Sequence, residues 1–421
     1  MLRRPAPDSL WADPNWRRYW LSRVVSYVGG TITYVAAPIL VYSLSHSALL
    51  TGVTTATEGL PYLMFGLYAG AIADRIDRRR MMVSSDFINA FVLATVPVAA
   101  MLGKLTVWQV ILVGFISMCV WVFYDAANFG AVPTLVGRER ISAANSAVWG
   151  STQVFDVVMP GLVGVVVAFI YPATLYWVNA FTFLASAFLV RSITASLNGS
   201  RDVSSSVRDD VFTGLKWLWS HPSLRALTLV GTATSFAVSA LMGQLVPFAD
   251  LHLGIRQGDP RLGALFAVFS FGGLFGTLSH RYLKKYSPAR ISLVATSIEA
   301  VILLVIPWPS NWVITCVLTF LFGFANLLAV INVINYRQEE TPEELQSRIN
   351  TSGRMLSWGG GGPIGALAGG IVAHQTSPAF GVFFGACVLA VSTALAWGSS
   401  LRSIPALRSQ AAVRTVSAAS S

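Results

Sequence analysis

The chain has 421 residues, of which 54% are hydrophobic and only 11% are charged. A soluble domain carries about 25% charged residues, so this chain has too little polar surface to cover a globule in water. The composition therefore excludes a soluble nucleic-acid-binding protein, although the formal net charge of +10 would otherwise suggest one. It predicts an all-α protein embedded in a lipid bilayer, since the short alternating segments of a membrane β-barrel are not seen.

Twelve apolar stretches follow one another along the chain, and each has about 20 residues or more, which is the length that crosses a bilayer as a helix. The predicted spans are 16–43, 48–73, 81–102, 106–134, 142–170, 173–194, 223–250, 262–283, 289–307, 311–336, 346–374 and 378–400. The longest polar interruption divides six spans from six. We therefore predict an N-terminal six-helix bundle (1–195), a cytoplasmic linker (196–222), a C-terminal six-helix bundle (223–401) and a cytoplasmic tail (402–421).

The basic residues lie almost entirely on one side of this topology. Of the 29 lysines and arginines, 26 lie on the side of the N-terminus, and only Lys104, Arg256 and Arg261 lie opposite. Because cytoplasmic loops carry the excess of positive charge, both termini are predicted to be cytoplasmic. An interfacial anchor at the start of span 1, not a cleavable signal peptide, is indicated by Trp16, Arg17, Arg18, Tyr19 and Trp20.

The two halves carry a weak internal repeat. A shift of 206 residues places Gly66, Gly70 and Arg75 on Gly272, Gly276 and Arg281, which favours a duplicated six-helix unit. Glycines at four-residue spacing on spans 2, 8 and 11 let helix backbones approach closely. This pattern is compatible with a mobile contact between the halves or with ordinary close packing.

The loop between spans 2 and 3 carries the most informative motif. Its four arginines must leave the hydrocarbon, where each central charge costs about 3 kcal/mol. The motif is Gly70-Ala-Ile-Ala-Asp74-Arg75-Ile-Asp77-Arg78-Arg79-Arg80. It resembles the signature in the loop after the second helix of major facilitator superfamily transporters. The resemblance covers essentially the whole chain, and further segments are similar to the bacterial branch that contains enterobactin and macrolide exporters: Arg17-Arg18-Tyr-Trp, Glu58-Gly-Leu-Pro61 and Pro133-Thr-Leu-Val.

The resemblance implies a fold of twelve transmembrane helices in two pseudo-symmetric six-helix bundles. It also implies a gate, in which the signature aspartate complements the dipole of span 11 and the arginine four positions later pairs with an acid on span 4. The predicted gating residues are Gly70, Asp74, Arg75, Arg78 and Asp125. The sequence departs from the family pattern at Asp77, where glycine is usual, and at Met159, which replaces a glycine of the antiporter motif on span 5.

In this family, spans 1, 4, 7 and 10 line the transport cavity, and each carries polar or aromatic side chains at helical spacing here. Such a mixed lining suits a bulky amphipathic organic molecule better than a sugar. Hydrogen bonding between helices explains each stripe equally well when it is taken alone. The predicted cavity residues are Arg23, Tyr27, Tyr34, Trp121, Tyr124, Asn128, Thr232, Ser235, Ser239, Phe322 and Asn326.

Three acidic residues lie well inside apolar spans: Glu58, Asp156 and Glu299. A carboxyl group in lipid pairs with a cation or stays protonated, which makes it a natural proton carrier. We predict proton coupling at Glu58, where Pro61 is expected to open the helix, and at Asp156. Glu299 lies on span 9, which is peripheral in the fold. A structural hydrogen bond is the alternative role for all three residues.

These observations predict a secondary active transporter that exports amphipathic small molecules across the bacterial cytoplasmic membrane by alternating access and proton antiport. A dedicated siderophore or metabolite exporter is the alternative within transport. A lipid-modifying enzyme is disfavoured because no span carries a catalytic constellation, and an ATP-driven pump because no phosphate-binding glycine loop exists. We expect no metal and no cofactor beyond the proton gradient. The expected partners are the small-molecule substrate and the bilayer, without nucleic acid, for a monomeric protein.

Overall fold

The computed structural model describes residues 9–73, 75–198, 215–256, 258–283, 285–341, 349, 352–399 and 401. Among these residues there is no β-strand, and α-helices follow one another along the chain. Their bounds are α1 Pro14–Ser45, α2 Ala48–Ala56, α3 Leu60–Ala73, α4 Arg78–Met101, α5 Val107–Val136, α6 Ile141–Val166, α7 Leu175–Arg191, α8 Pro222–Leu253, α9 Pro260–Leu283, α10 Pro288–Val305, α11 Trp312–Glu340, α12 Gly362–Gln375 and α13 Pro378–Trp397.

Helical segments occupy all twelve predicted spans, which confirms the all-α membrane fold. Within the described part of the chain, nine helices are long and apolar enough to cross a membrane. The other three predicted spans are span 2, which is divided into α2 and α3, span 5, which is α6, and span 11. In span 11, a π-helical stretch, Met355–Gly361, precedes α12.

Span 2 is broken where the sequence predicts an opening. Helix α2 ends at Ala56, α3 begins at Leu60, and Pro61 is the second residue of α3. The intervening turn is held by weak backbone hydrogen bonds, such as that from Glu58 N to the Thr55 carbonyl at 3.3 Å. Proline is well tolerated in the first turn of a helix because its missing N–H would have no helical partner there. The prediction of a local opening beside Glu58 is confirmed.

The break also divides span 2 between two compact units. The first unit comprises Met1–His46 and Leu60–Arg208, and the second comprises Ser47–Gly59 and Asp209–Ser421. Helix α2 therefore packs within the second unit, whereas the sequence-based division assigns all of span 2 to the first bundle. Gly52 allows this packing, because a Cβ atom there would lie 2.6 Å from the Ala366 carbonyl oxygen of α12. Gln244 of α8 adds a hydrogen bond to the Ala48 carbonyl at 3.1 Å.

The first unit has an aromatic core at the start of α1. Trp16 and Tyr19 are fully buried, and their rings stack with centroids 5.6 Å apart. They pack with Met82 of α4 and Tyr124 of α5. The prediction of an interfacial anchor is therefore wrong for these two residues. Their side chains point into the helix bundle, where burying a large ring removes more apolar surface than an interfacial position would.

In the second unit, glycines bring α9 and α11 together. A side chain at Gly272 or Gly276 would collide with the backbone carbonyl of Phe320 or Phe324, respectively. This is the small-residue packing expected in lipid, where helices gain nothing by hiding apolar surface from the solvent. Close packing inside one unit thus accounts for these glycines. Gly66 of α3 differs, because a Cβ atom there would have no neighbouring atom within 4 Å.

Candidate functional site: a charge cluster in the first unit

Arg23 is the centre of a polar cluster inside the first unit. It lies on α1, is only 7% exposed, and places Nη2 4.0 Å from Oδ1 of Asp125 on α5. Its guanidinium carbon lies 5.0 Å from the centre of the Trp121 ring and 5.3 Å from that of Tyr124. These two rings are three residues apart on α5 and stack with their planes only 9° apart. They give the cation an electron-rich aromatic surface.

Asp125 is the most accessible charged group of the cluster. Its side chain is 29% exposed, and Oδ2 accepts a hydrogen bond from the Tyr62 hydroxyl at 3.2 Å. The family resemblance implied Arg78 as the cation that pairs with Asp125, but the cation that the structure places beside it is Arg23. The pairing of Arg78 with Asp125 and the gate as a whole stay a prediction.

Arg78 binds backbone carbonyls at the start of α4. Its Nη1 donates to Gly130 at 2.9 Å and to Leu197 at 3.4 Å. The guanidinium lies directly against Gly130, because a Cβ atom there would be 2.6 Å from Arg78 Nε. The absence of a side chain on Gly130 makes room for the guanidinium. Arg78 therefore joins α4 and α5 to the segment after α7.

Asp86 of α4 is a buried acid that the sequence analysis did not single out. It is 0% exposed, and its Oδ2 accepts a hydrogen bond from the Ser186 hydroxyl of α7 at 2.7 Å. The sequence did contain a signal for this residue, because an aspartate inside predicted span 3, one helical turn before Asn89, is unusual for an apolar span. Asn89 is also buried, with 1% exposure.

The tyrosine of the aromatic core extends this network. The Tyr19 hydroxyl donates a hydrogen bond to Oδ1 of Asn128 on α5. Ion pairing, ring contacts and the shared helix α5 thus join the predicted gating residue Asp125 with four predicted cavity residues of the first unit, Arg23, Trp121, Tyr124 and Asn128.

Asp77, the departure from the family motif, caps a helix. Its Oδ1 accepts from the Arg80 N–H at 2.8 Å, and its Oδ2 accepts from the Asn198 amide at 2.7 Å. Partial burial alone would raise the pKa of the Asp77 carboxyl, but these two hydrogen bonds and the charges of Arg80 and Arg79 outweigh it and lower the pKa. The ionised side chain stabilises the N-terminus of α4 and ties it to the segment after α7.

The predicted cavity residues of the second unit mostly pack between helices. Phe322 is fully buried against Phe269, with ring centroids 5.9 Å apart. Asn326, 6% exposed, donates to Oε1 of the buried Glu299 at 2.9 Å. These contacts favour the helix-packing alternative for Phe322 and Asn326, and place Glu299 in a structural hydrogen bond.

The polar face of α8 lies against the π-helical region of span 11. A Cβ atom on Gly361 would lie 2.5 Å from the Thr232 carbonyl oxygen, and one on Gly362 would lie 3.1 Å from the Ser239 hydroxyl. Ser235 is half-buried between them along the helix. Thr232 and Ser239 therefore contact span 11, which also agrees with a role in helix packing.

The remaining predicted residues are dispersed. On α1, Tyr27 is half-buried and Tyr34 is 43% exposed. Glu58 is half-buried in the turn between α2 and α3, Gly70 is half-buried on α3, and Arg75 is exposed just beyond it. Asp156 lies on α6, but its side chain is outside the described part of the structure, and Asp74 lies outside the described residues altogether. The described residues contain no group of three or more potential metal ligands.

Comparisons with known proteins agree on the class of molecule. A family model described as transmembrane secretion effector matches residues 9–418. The chain is 27% identical over 362 residues to the multidrug efflux pump Tap of Mycolicibacterium fortuitum, which covers 82% of this chain and 86% of that protein. It is 25% identical over 379 residues to the enterobactin exporter EntS of Salmonella typhimurium, with 86% and 87% covered.

Solved structures of distant sequence share the fold. The nucleoside transporter NupG superimposes with a TM-score of 0.72 at 12% identity, covering 92% of this chain and 98% of that one. A bacterial homologue of the human lysosomal transporter Spinster, in an inward-facing state, gives a TM-score of 0.72 at 12% identity, with 95% and 97% covered. At this level of identity, the likeness shows the fold alone.

Proposed function

The chain belongs to the major facilitator superfamily, in the family of transmembrane secretion effectors, and is a multi-pass membrane transporter; from this premise we propose that it exports amphipathic small organic molecules in exchange for protons. The proposed location is the bacterial cytoplasmic membrane with both termini in the cytoplasm, as the distribution of basic residues favours. The observation that carries the proposal is the Arg23 cluster, in which charged groups and stacked aromatic rings share one site.

The chemistry of the cluster favours an amphipathic substrate. Buried ions are costly in a membrane protein, so their presence inside a helix bundle points to a function. The rings of Trp121 and Tyr124 offer flat apolar surface, while the partly exposed carboxylate of Asp125 offers a polar partner. A molecule with an aromatic body and one polar or cationic group matches both features.

The direction and the driving ion are proposed on different grounds. The matches to proteins named as a multidrug efflux pump and an enterobactin exporter support export. Proton exchange is supported by acids within predicted spans, and Glu58 and Asp156 stay our proposed coupling residues. The opened helix at Glu58 gives its carboxyl a position outside regular helical packing. The relatives are transporters, and we propose that this protein likewise has no enzymatic activity.

A dedicated siderophore exporter is the second candidate, favoured by the similarity to EntS over nearly the whole chain. Its substrate would be a single siderophore such as enterobactin, whereas a multidrug pump would accept several unrelated compounds. The two functions therefore differ in breadth of substrate and not in mechanism.

Uptake into everted membrane vesicles tests the proposal. Vesicles containing the protein should accumulate ethidium, an aromatic cation, when their lumen is acidified, and a protonophore should abolish the accumulation. Vesicles with the Arg23→Gln variant serve as the control for the cluster. Gradient-driven uptake of enterobactin but not of ethidium would select the dedicated exporter. If neither probe responds to the pH gradient, the proposed proton antiport is wrong.

A further inference from the structure

We propose that Tyr62 is a positioning residue of the Arg23 cluster, which holds the carboxylate of Asp125 apart from Arg23 and so keeps it open to a cationic substrate. The inference rests on the proposed function, because it concerns the site at which the substrate would bind. Tyr62 belongs neither to the predicted gating residues nor to the predicted cavity residues.

The ion pair of Arg23 and Asp125 is open. Nη2 and Oδ1 are 4.0 Å apart, whereas a hydrogen-bonded pair of arginine and carboxylate has an N–O distance of about 2.8 Å and is often bidentate. Arg23 has donors for a closer pair, because its Nε and Nη1 atoms are buried without a hydrogen-bond partner in the described structure. Opposite charges in a mostly closed site attract each other strongly. A contact on the other side of the carboxylate therefore has to oppose their approach.

Tyr62 supplies that contact. Its hydroxyl donates to Oδ2 of Asp125 at 3.2 Å, while Oδ1 faces Arg23. The two oxygens of the carboxylate are thus turned towards different groups. A bidentate pair with Arg23 would require Oδ2 to turn away from Tyr62 and lose this hydrogen bond, so Tyr62 opposes the closure of the ion pair.

The break in span 2 places Tyr62 beside α5. Tyr62 is half-buried and is the third residue of α3, directly after the interrupted turn. The next turn of α3 packs on the same helix, with the ring centroids of Phe65 and Phe123 6.3 Å apart. The Tyr62 hydroxyl therefore reaches Asp125 from α3, whereas Arg23 reaches it from α1. The two groups that compete for the carboxylate belong to different helices.

The open ion pair matters for the choice of substrate. It leaves the Asp125 side chain 29% exposed, and a carboxylate that is not tightly paired can attract a second cation. A pair closed onto Arg23 would neutralise this charge at short range. A neutral aromatic molecule would instead depend on the stacked rings of Trp121 and Tyr124. Tyr62 should therefore favour cationic substrates over neutral ones.

Thermal unfolding of the purified full-length protein tests the positioning role without any substrate. The coupling between Arg23→Gln and Asp125→Asn is measured as a non-additive shift in Tm, in the wild type and in Tyr62→Phe, which keeps the ring and removes the hydroxyl. In Tyr62→Phe the carboxylate should close onto Arg23. Closing from 4.0 Å to about 2.8 Å raises the Coulomb attraction about 1.4-fold, before any new hydrogen bond is counted.

Tyr68 provides a matched control on the same helix. Its side chain is 66% exposed, so Tyr68→Phe removes a phenol hydroxyl from α3 at a distance from the cluster. The coupling between Arg23 and Asp125 should be the same in Tyr68→Phe as in the wild type.

Equilibrium binding, followed by fluorescence, tests the consequence for the substrate. Tyr62→Phe should weaken the binding of ethidium about tenfold, since the carboxylate is then held by Arg23. In an Arg23→Gln background the same change should have an effect of less than about twofold, because no cation is left to hold the carboxylate. Binding of N-phenyl-1-naphthylamine, a neutral aromatic probe, should not change. A residue that only packs would affect both probes and both backgrounds alike.

An equal coupling in Tyr62→Phe and the wild type would overturn the proposal, as would an unchanged affinity of Tyr62→Phe for ethidium. Tyr62→Met, which also lacks a hydroxyl, takes the place of Tyr62→Phe if that variant does not fold. Failure of the proposed function has a different signature, since wild-type vesicles would then show no uptake of ethidium driven by a pH gradient. The coupling experiment needs no substrate and decides the role of Tyr62 in either case.

Discussion

Arg23 and Asp125 should stabilise the first unit jointly, so that removing both costs less than the sum of the two single losses. The proposed variants are Arg23→Gln, Asp125→Asn and the double substitution. Each single change leaves the other ion without its partner in a site that is mostly closed to solvent. The amide replacements keep the approximate shape of the side chains and remove the charge.

The distance between the charges of Arg23 and Asp125 determines the expected coupling free energy. Two unit charges 4.0 Å apart attract each other by about 4 kcal/mol at an effective dielectric constant of about 20. Because the Asp125 side chain is 29% exposed, we reduce the expected coupling free energy to about 2 kcal/mol. Arg23→Gln also loses two cation–π contacts of about 1 kcal/mol each. It should therefore be the more damaging single substitution.

Thermal unfolding in detergent measures the effect, with a thiol-reactive fluorescent dye that labels Cys119, Cys316 and Cys387 as they become accessible. All three are free and half-buried in the folded protein. A coupling of about 2 kcal/mol corresponds to a non-additive shift in Tm of about 2 to 4 °C for a chain of this size.

The Asp259–Arg261 pair provides a control cycle. Its N–O distance is only 2.6 Å, but the Arg261 side chain is 48% exposed. Exposure should make its coupling smaller than that of the longer, buried pair. Additive Tm shifts for Arg23 and Asp125, or a larger coupling in the control cycle, would refute the argument that burial makes this cluster strong.

Three further predictions concern packing, pH and topology. Gly52→Val should lower both Tm and transport, because its side chain would collide with the backbone of α12, whereas Gly66→Val has open space and should be tolerated; equal effects would contradict the packing argument. Asp77→Ala should lower the free energy of unfolding by about 0.5 to 1 kcal/mol, since it removes a helix cap that is only partly buried. The lowered pKa of Asp77 makes this difference full at neutral pH, and it should disappear as the pH falls below about 4 through that pKa; a difference that persists in acid would argue against the cap. In a background without native cysteines, Lys104→Cys should react with an impermeant thiol reagent in intact cells and Ser204→Cys should not, and labelling of both would contradict the predicted orientation.

The sequence predicts the helices well because hydrophobic length decides whether a segment can cross a bilayer. All twelve predicted spans contain helix, and the break at Glu58 follows from the nearby proline. The shared position of Trp121, Tyr124 and Asp125 is also predictable. Residues three and four apart lie on the same face of a helix, and only that spacing is needed.

Partners contributed by distant segments were harder to predict. The pairing of Arg23 with Asp125, and the approach of Ser186 to Asp86, depend on how α1, α4, α5 and α7 are arranged. The spacing of residues within one helix contains no such information. The burial of Trp16 was missed for the same reason, since an aromatic residue at the end of a predicted span suits either an interface or a core.

Proton movement during transport tests the central claim most directly. Liposomes containing the purified protein and a trapped pH indicator are given ethidium on one side, with no imposed pH gradient. If the protein exchanges substrate for protons, ethidium entry should be accompanied by proton efflux, and the lumen should become alkaline. Protein-free liposomes should show no change in lumen pH. Protein-dependent entry of ethidium with an unchanged lumen pH would contradict proton antiport.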